Sequence, residues 1–173
     1  ISLSYIRFVK TDFTESSKLA LHVIKQGRSR VDLTNYVRAY LLYAGAKGMI
    51  AHYGGPISNI INCSAVFQAL ETAQSLMPEY PGVYYGLGSF YLLSPEMVGR
   101  DINKAQEYFE KAIRADPFFP DAYVRLSQVY ELKKNQVDAQ IYLNKALAVD
   151  PGNELALDIK SGKCKFICVG KDK

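Results

Sequence analysis

The sequence predicts an all-α chain in which helical hairpins stack into a solenoid of about seven or eight helices. Three observations carry this. Three segments share one spacing of apolar residues that ends at a proline. Two of them are preceded by a second segment with its own shared pattern of aromatic, Leu, small and Tyr residues. The chain has 173 residues, 49% of them hydrophobic and 22% charged, which excludes disorder and suits one domain. A domain of this length buries about 70% of its unfolded surface and needs neither disulfides nor metal to fold.

Taken in order, Thr14–Gln26 reads as an amphipathic helix with Leu19, Leu21, Val23 and Ile24 as apolar residues, Thr14 as N-cap and Gly27 as C-cap. Asp32–Tyr53 reads as a long helix, broken by Gly54-Gly55-Pro56 before a second helix near Ile57–Met77. The spacing repeat begins there with Val66, Leu70, Ala73 and Pro78, and recurs as Ala105, Phe109, Ala112, Pro117 and as Ala139, Leu143, Ala146, Pro151. Steps of four and three set three residues on one helical face. The small Ala admits a neighbouring helix. The Pro, five residues on, stops the helix because it has no N–H and restricts the residue before it.

A partner helix precedes the second and third of these segments. It carries Tyr84, Leu87, Gly88 and Tyr91 in one case and Tyr123, Leu126, Ser127 and Tyr130 in the other. Breaks are expected near Ser94–Asp101, Pro117–Pro120 and Lys133–Gln136. Pro117 and Pro151 are 34 residues apart but Pro78 and Pro117 are 39 apart, and the five extra residues fall in the polar stretch Ser94-Pro95-Glu96-Met97-Val98-Gly99-Arg100-Asp101. Asn153–Lys160 reads as a further helix that covers the exposed end, as a solenoid requires. The expected organisation is one domain over 1–161, with degenerate helices over 1–78, two clear repeats at 82–117 and 120–151 and a capping helix at 153–161. A basic tail follows at 162–173, with some strand character at Lys165–Val169.

These residues resemble the tetratricopeptide repeat, with its aromatic-x2-Leu-Gly-x2-Tyr, Ala-x3-Phe and Pro positions. Tyr123 stands where Trp is usual and Ser127 where Gly is usual. The resemblance implies a right-handed superhelix whose first helices line a concave face. Carried over one position at a time, that face holds Tyr85, Ser89 and Leu92 in one repeat and Val124, Gln128 and Glu131 in the next. Family members that clamp a chaperone C-terminus need Lys, Asn and Arg at such positions; here Tyr85 and Val124 replace Lys, and Ser89 and Gln128 replace Asn, so that ligand is not expected. A second resemblance rests on Tyr84-Tyr85-Gly86-Leu87-Gly88 followed by the Ser94–Asp101 loop and Lys104-Ala105. It is similar to the T-component of bacterial TRAP transporters, periplasmic repeat proteins that oligomerise and partner a solute-binding protein. Arg100 departs from the Gly-Gly pair of that family.

Catalytic motifs are missing from the sequence: it has no Gly-x-Ser-x-Gly elbow, phosphate loop or His-Glu-x-x-His. Gly86-Leu87-Gly88 lies within a predicted helix at packing positions and follows no strand, so it is not a dinucleotide fingerprint. His22 and His52 stand singly on predicted helices. Cys164 and Cys168 pair at C-x3-C without His nearby, and Cys63 is remote, so the four ligands of structural zinc are not assembled. No enzyme, cofactor or metal role is expected.

Charge sits at the two ends. Residues 1–80 carry eight Lys and Arg against five Asp and Glu, residues 81–159 eight against eleven, and residues 160–173 five against one. A slightly acidic middle argues against a nucleic-acid groove. No apolar run reaches 18 residues, since Lys47 interrupts Leu41–Ala51, so no transmembrane segment is expected. The compartment expected is cytoplasmic or, with a signal or lipoprotein segment before Ile1, periplasmic.

Of the tyrosines, Tyr91, Tyr123 and Tyr130 are expected in the core, and Tyr36, Tyr40 and Tyr43 as a packed stripe at i, i+4, i+7. Tyr53 and Tyr85 have no packing role in the pattern, which makes them candidates for ligand contact. Phe118-Phe119 is expected as a wedge between repeats. The function expected is a non-catalytic scaffold that binds a protein or peptide through Tyr85, Ser89, Leu92, Val124, Gln128, Glu131 and Tyr53, with a homo-oligomer as a further option. The alternative is a periplasmic transport accessory contacting a solute-binding protein or a small apolar ligand.

Overall fold

The structure, a computed structural model, describes residues 10–163. Seven α-helices follow one another there with no strand between them: α1 (Lys10–Gln26), α2 (Leu33–Leu76), α3 (Pro81–Leu93), α4 (Ile102–Ala115), α5 (Pro120–Leu132), α6 (Gln136–Val149) and α7 (Glu154–Lys160). The Lys165–Val169 stretch, Cys164 and Cys168 lie outside the described residues.

α2 is two helices in one element. Gly55 adopts φ 82° and ψ −176°, and Pro56 follows it. This conformation is open to glycine and interrupts the helical hydrogen-bond ladder. The arms on either side share one core, in which Val37, Ala44 and Ala51 of the first join Cys63, Val66, Leu70 and Ala73 of the second. Ser58 Oγ, just past the bend, donates to the Ile50 carbonyl at 3.2 Å. The degenerate first repeat is therefore a hairpin closed at Gly54-Gly55-Pro56. α1 starts at Lys10, a turn before the expected N-cap Thr14, and Thr14 lies inside the helix with its carbonyl accepting from Ser17 Oγ at 2.8 Å. Gly27, with φ 81°, follows its last turn.

The helix starts alternate in kind. α3 and α5 open with Pro81 and Pro120 in the first turn, where a missing N–H leaves no gap. α4 and α6, the second helices of their hairpins, are capped by Asp101, which accepts from the amides of Asn103 and Lys104, and by Asn135, which accepts from the Asp138 amide.

Each helix packs against the next, most extensively α1 on α2 and within the hairpins α3–α4 and α5–α6. Ala112 and Ala146 are fully buried at the repeat positions. Gly88 admits the Phe109 ring: a Cβ there would stand 2.7 Å from Phe109 Cε1. Ser127 takes that place in the next hairpin and turns its hydroxyl back to the Val124 carbonyl at 2.8 Å. Leu92, Phe109, Leu126 and Val129 form a core between the two hairpins.

The tyrosines are half-buried, and they form a repeated ladder at the edge of each hairpin. Tyr91 stacks on Tyr108 with centroids 5.7 Å apart and planes 7° apart. Tyr130 stacks on Tyr142 at 5.2 Å and 4°. Tyr84 and Tyr123 also approach Tyr108 and Tyr142, at 6.4 and 6.5 Å. Lys111 lies over Tyr108 at 5.2 Å, and Lys145 lies over Tyr142 at 4.8 Å. Neither Tyr108 nor Tyr142 is singled out by the repeat signature.

The inserted residues form a 3-10 turn, Glu96–Val98, rather than an irregular loop. Val98 packs on the first core, and buried Ser94 hydrogen-bonds Cys63. The Asp101 amide donates to the Tyr91 carbonyl at 3.0 Å, so α4 starts in register despite the extra residues.

At the far end Asn153 does two jobs. Its Oδ1 accepts from the Ala156 amide at 3.0 Å and caps α7. Its Nδ2 donates to Asp121 Oδ1 at 2.8 Å, and both side chains are buried. Burial pushes the Asp121 carboxyl above its usual range and the Asp150 charge adds to this, while the Asn153 bond and the Arg125 charge pull it back.

Two stability predictions follow from these contacts. Gly88→Ala overpacks the Phe109 contact and is expected to cost about 1–3 kcal/mol in urea denaturation; an unchanged midpoint refutes the close approach. Asp121→Ala leaves the buried Asn153 amide without its acceptor and is expected to cost about 1–3 kcal/mol. Asp121→Asn keeps an acceptor and removes the buried charge. A raised folded-state pKa penalises the ionised form, fully above that pKa and progressively less as pH falls through it. The Asn variant should therefore match or exceed the wild type at neutral pH, with any gain shrinking on acidification. A gain that grows on acidification contradicts this account.

Candidate partner-binding site

Tyr85 and Ser89 stand one turn apart on α3, both half-buried. The Tyr85 ring is wedged between Phe109 at 6.0 Å and Phe119 at 5.0 Å. It thus has a packing role that the repeat signature does not reveal, and Phe119 is the inter-repeat wedge expected of the Phe118-Phe119 pair. Phe118 is 79% exposed. The Ser89 hydroxyl is enclosed and has no hydrogen-bond partner among the described residues.

The remaining candidates divide. Leu92 and Val124 are fully buried, Leu92 in the core between hairpins and Val124 against Leu143, Ala146 and Ala156. They pack against the second helix of their own hairpin and the helix that follows it rather than facing an open groove. A position that lines the groove in isolation is covered once the next repeat stacks on it. Gln128 is likewise buried, and its Oε1 accepts from Arg125 Nη1 at 2.9 Å. Glu131 is exposed and accepts from Gln136 Nε2 at 3.0 Å. Glu131 stands at the place of Leu92 one repeat on, where α7 has only seven residues; a charged side chain fits there because little helix covers it.

Tyr53 belongs to a different recess, between α1 and the bend of α2. It stacks on Phe13 at 6.2 Å and meets His52 edge-on at 5.0 Å. The recess has a volume of about 470 Å³ and is lined by Met49 and Ile50 together with the charged Lys18 and Glu15. Burial raises the Tyr53 phenol above its ordinary pKa. The structure therefore brings Tyr85 and Ser89 together on one helix and gives Tyr53 a recess of its own.

Among the described residues no group of three or more His, Cys, Asp or Glu side chains is arranged to hold a metal ion. No helix there is long and apolar enough to cross a membrane. Sequence reasoning passed over Asp121, Arg125 and Asn153. Asp121 and Asn153 are 32 residues apart, and neither occupies a signature position; only the place of Asn153 just after Pro151-Gly152, where a helix N-cap belongs, hints at its role.

The family model described as tetratricopeptide repeat matches residues 100–119 and 120–153. No curated protein matches the sequence. Among solved structures, TTC0263, a thermophilic TPR protein of Thermus thermophilus, superposes with a TM-score of 0.63 at 18% identity, over 81% of this chain and 68% of its own. YrrB, described as a TPR protein with an unusual peptide-binding site, superposes with a TM-score of 0.54 at 18% identity, over 72% of this chain. The match spans 57% of the YrrB chain. Neither the family match nor these structures support the resemblance to transporter T-components. The matched model identifies tetratricopeptide repeats at residues 100–153, and the stacked hairpins of the described residues share the fold of these tetratricopeptide-repeat structures.

Proposed function

We propose that the chain is a non-catalytic scaffold that binds a protein or peptide segment along the concave side of its first helices, at Tyr85 and Ser89 of α3 and Glu131 of α5. The observation that carries this reading is Ser89. Its hydroxyl has no partner within the described residues, beside a half-buried aromatic ring one turn away. Enclosed polar groups are ordinarily hydrogen-bonded; a turn about the Ser89 χ1 bond beside Tyr85 brings the hydroxyl to an incoming backbone carbonyl or amide, which supplies the missing partner. Tyr85 offers an amphipathic ring held in place by Phe109 and Phe119, a rigid anchor with little conformational entropy to lose on binding. Leu92, Val124 and Gln128 support the wall from behind. The surface lacks the Lys and Asn residues of a carboxylate clamp, so the ligand is a neutral or mixed segment rather than an acidic C-terminus. Tyr53 serves, on this reading, as a secondary contact at its own recess.

The test is affinity capture of a partner followed by calorimetry on variants. Tyr85→Ala is expected to weaken binding by about 1–2 kcal/mol, and Ser89→Ala by about 0.5–1.5 kcal/mol, with the helical circular dichroism retained. Unchanged affinity in both variants moves the site off α3.

A further inference from the structure

We propose that this chain pairs with a second copy of itself through Ile57, Ile60 and Ile61, on the stretch of α2 just past the bend at Gly55. This surface is separate from the groove described above. The groove runs along first helices, whereas these residues belong to the second helix of their hairpin.

The stretch is an overhang. α4 begins at Ile102 and α6 at Gln136, each three residues before the alanine that opens the repeat spacing, Ala105 or Ala139. Val66 takes that place in the second arm of α2, and the arm begins at Pro56, ten residues earlier. Pro56–Asn62 therefore extends two turns, about 10 Å, beyond the point where the later helices start. Cover from the next hairpin stops at the same point. α3 ends at Leu93, and its C-cap Ser94 hydrogen-bonds Cys63. On the overhang Ile57 is 76% exposed, Ile60 57% and Ile61 66%.

The polarity of the overhang is inverted. Its inner side is polar: Ser58 Oγ donates to the Ile50 carbonyl at 3.2 Å, and Asn62 Nδ2 donates to the Ser58 carbonyl at 2.8 Å. Asn62 is buried and Ser58 half-buried. The isoleucines, at i, i+3 and i+4, take the outer side. A helix that meets only water on its outer face carries the opposite arrangement, and clustered exposed apolar residues mark a contact surface.

Charge selects the occupant. No Asp, Glu, Lys or Arg occurs from Gly48 to Leu70, although 22% of the chain is charged. A charged partner has nothing complementary to meet here, and helices that lie on a lipid surface carry Lys and Arg on their polar face. A two-fold contact requires this neutrality, because each patch faces its own copy and a charge near the axis would meet its like. Antiparallel pairing about an axis between Ile60 and Ile61 sets Ile60 on the partner's Ile61. It sets Ile57 on the partner's Ser64, a large side chain against a small exposed one. One helix against its copy gives a contact at the low end of specific interfaces, about 1,200 Å² in total, so a micromolar dissociation constant is expected.

Sedimentation velocity of the full chain from about 1 to 300 μM is expected to show a monomer–dimer equilibrium. The double variant Ile60→Glu, Ile61→Glu should stay monomeric with its helical circular dichroism retained, because both side chains are already exposed. The double variant Ile60→Lys, Ile61→Lys should do the same. Mixed in equal amounts, the two should recover the dimer, since each Glu then faces a Lys. Ile57→Ser, which adds no charge, is expected to weaken the dimer about tenfold or more, and it serves if a double variant does not fold. The proposal is overturned if the wild type is monomeric at about 300 μM, if the Glu variant or Ile57→Ser dimerises as tightly as the wild type, or if the mixture stays monomeric. A wild type that stays monomeric and instead cosediments with phosphatidylcholine vesicles assigns the face to a membrane and overturns it equally.

Discussion

The structure depends on how closely the two helices of a hairpin approach. At Gly88 the approach is so close that the Phe109 ring fills the space a side chain would take. Ala112 and Ala146 keep the same closeness elsewhere, each with no exposed surface. A hydrophobic core built this way gains from dense packing rather than from large side chains, and it has no slack. Once the approach is set, the positions of the large residues follow. Phe109, Leu126 and Val129 fill the space between hairpins. The tyrosines are pushed to the edge, where their rings stack and their hydroxyls stay near water.

The same constraint explains what the chain tolerates. Five extra residues between α3 and α4 leave the hairpin unchanged, because they sit beyond the last close contact and the Asp101–Tyr91 backbone bond restores the register. The tyrosine ladder records this. Its members on the second helices, Tyr108 and Tyr142, are one standard period apart, whereas Tyr91 and Tyr130 are separated by the longer one. The bend at Gly55 is an extreme case: there the link between two helices shrinks to one residue in a conformation that glycine adopts freely.

A solenoid also has to end. Through the middle of this chain, each first helix is covered by the next, which is why Leu92 is aliphatic and buried. At the last junction the covering helix is short, and polar contacts join the apolar packing of Val124 on Ala156: Glu131 is exposed, and Asp121 meets Asn153 in place of an aromatic seal. A buried polar pair adds direction where little apolar area is available. It holds α7 in one register, although the carboxylate is disfavoured by its own burial.

By itself the sequence determined the hairpins, their breaks, the period and the inserted residues. Those rest on local chemistry: spacing on one helical face, prolines that stop a helix, Asx residues that cap one. The tetratricopeptide resemblance, carried over one position at a time, implied a place for Tyr85, Ser89 and Glu131 on the concave side of first helices. What the sequence left undecided was which of those positions remain open. Leu92, Val124 and Gln128 share the helical face of the others, and packing against neighbouring helices buries them. The Tyr85–Phe119 wedge, the Asp121–Asn153 bond and the ladder through Tyr108 and Tyr142 join residues from different helices, and no spacing within one helix encodes them. Burial and pairing across repeats are properties of the stack, so they were decided by tertiary structure alone.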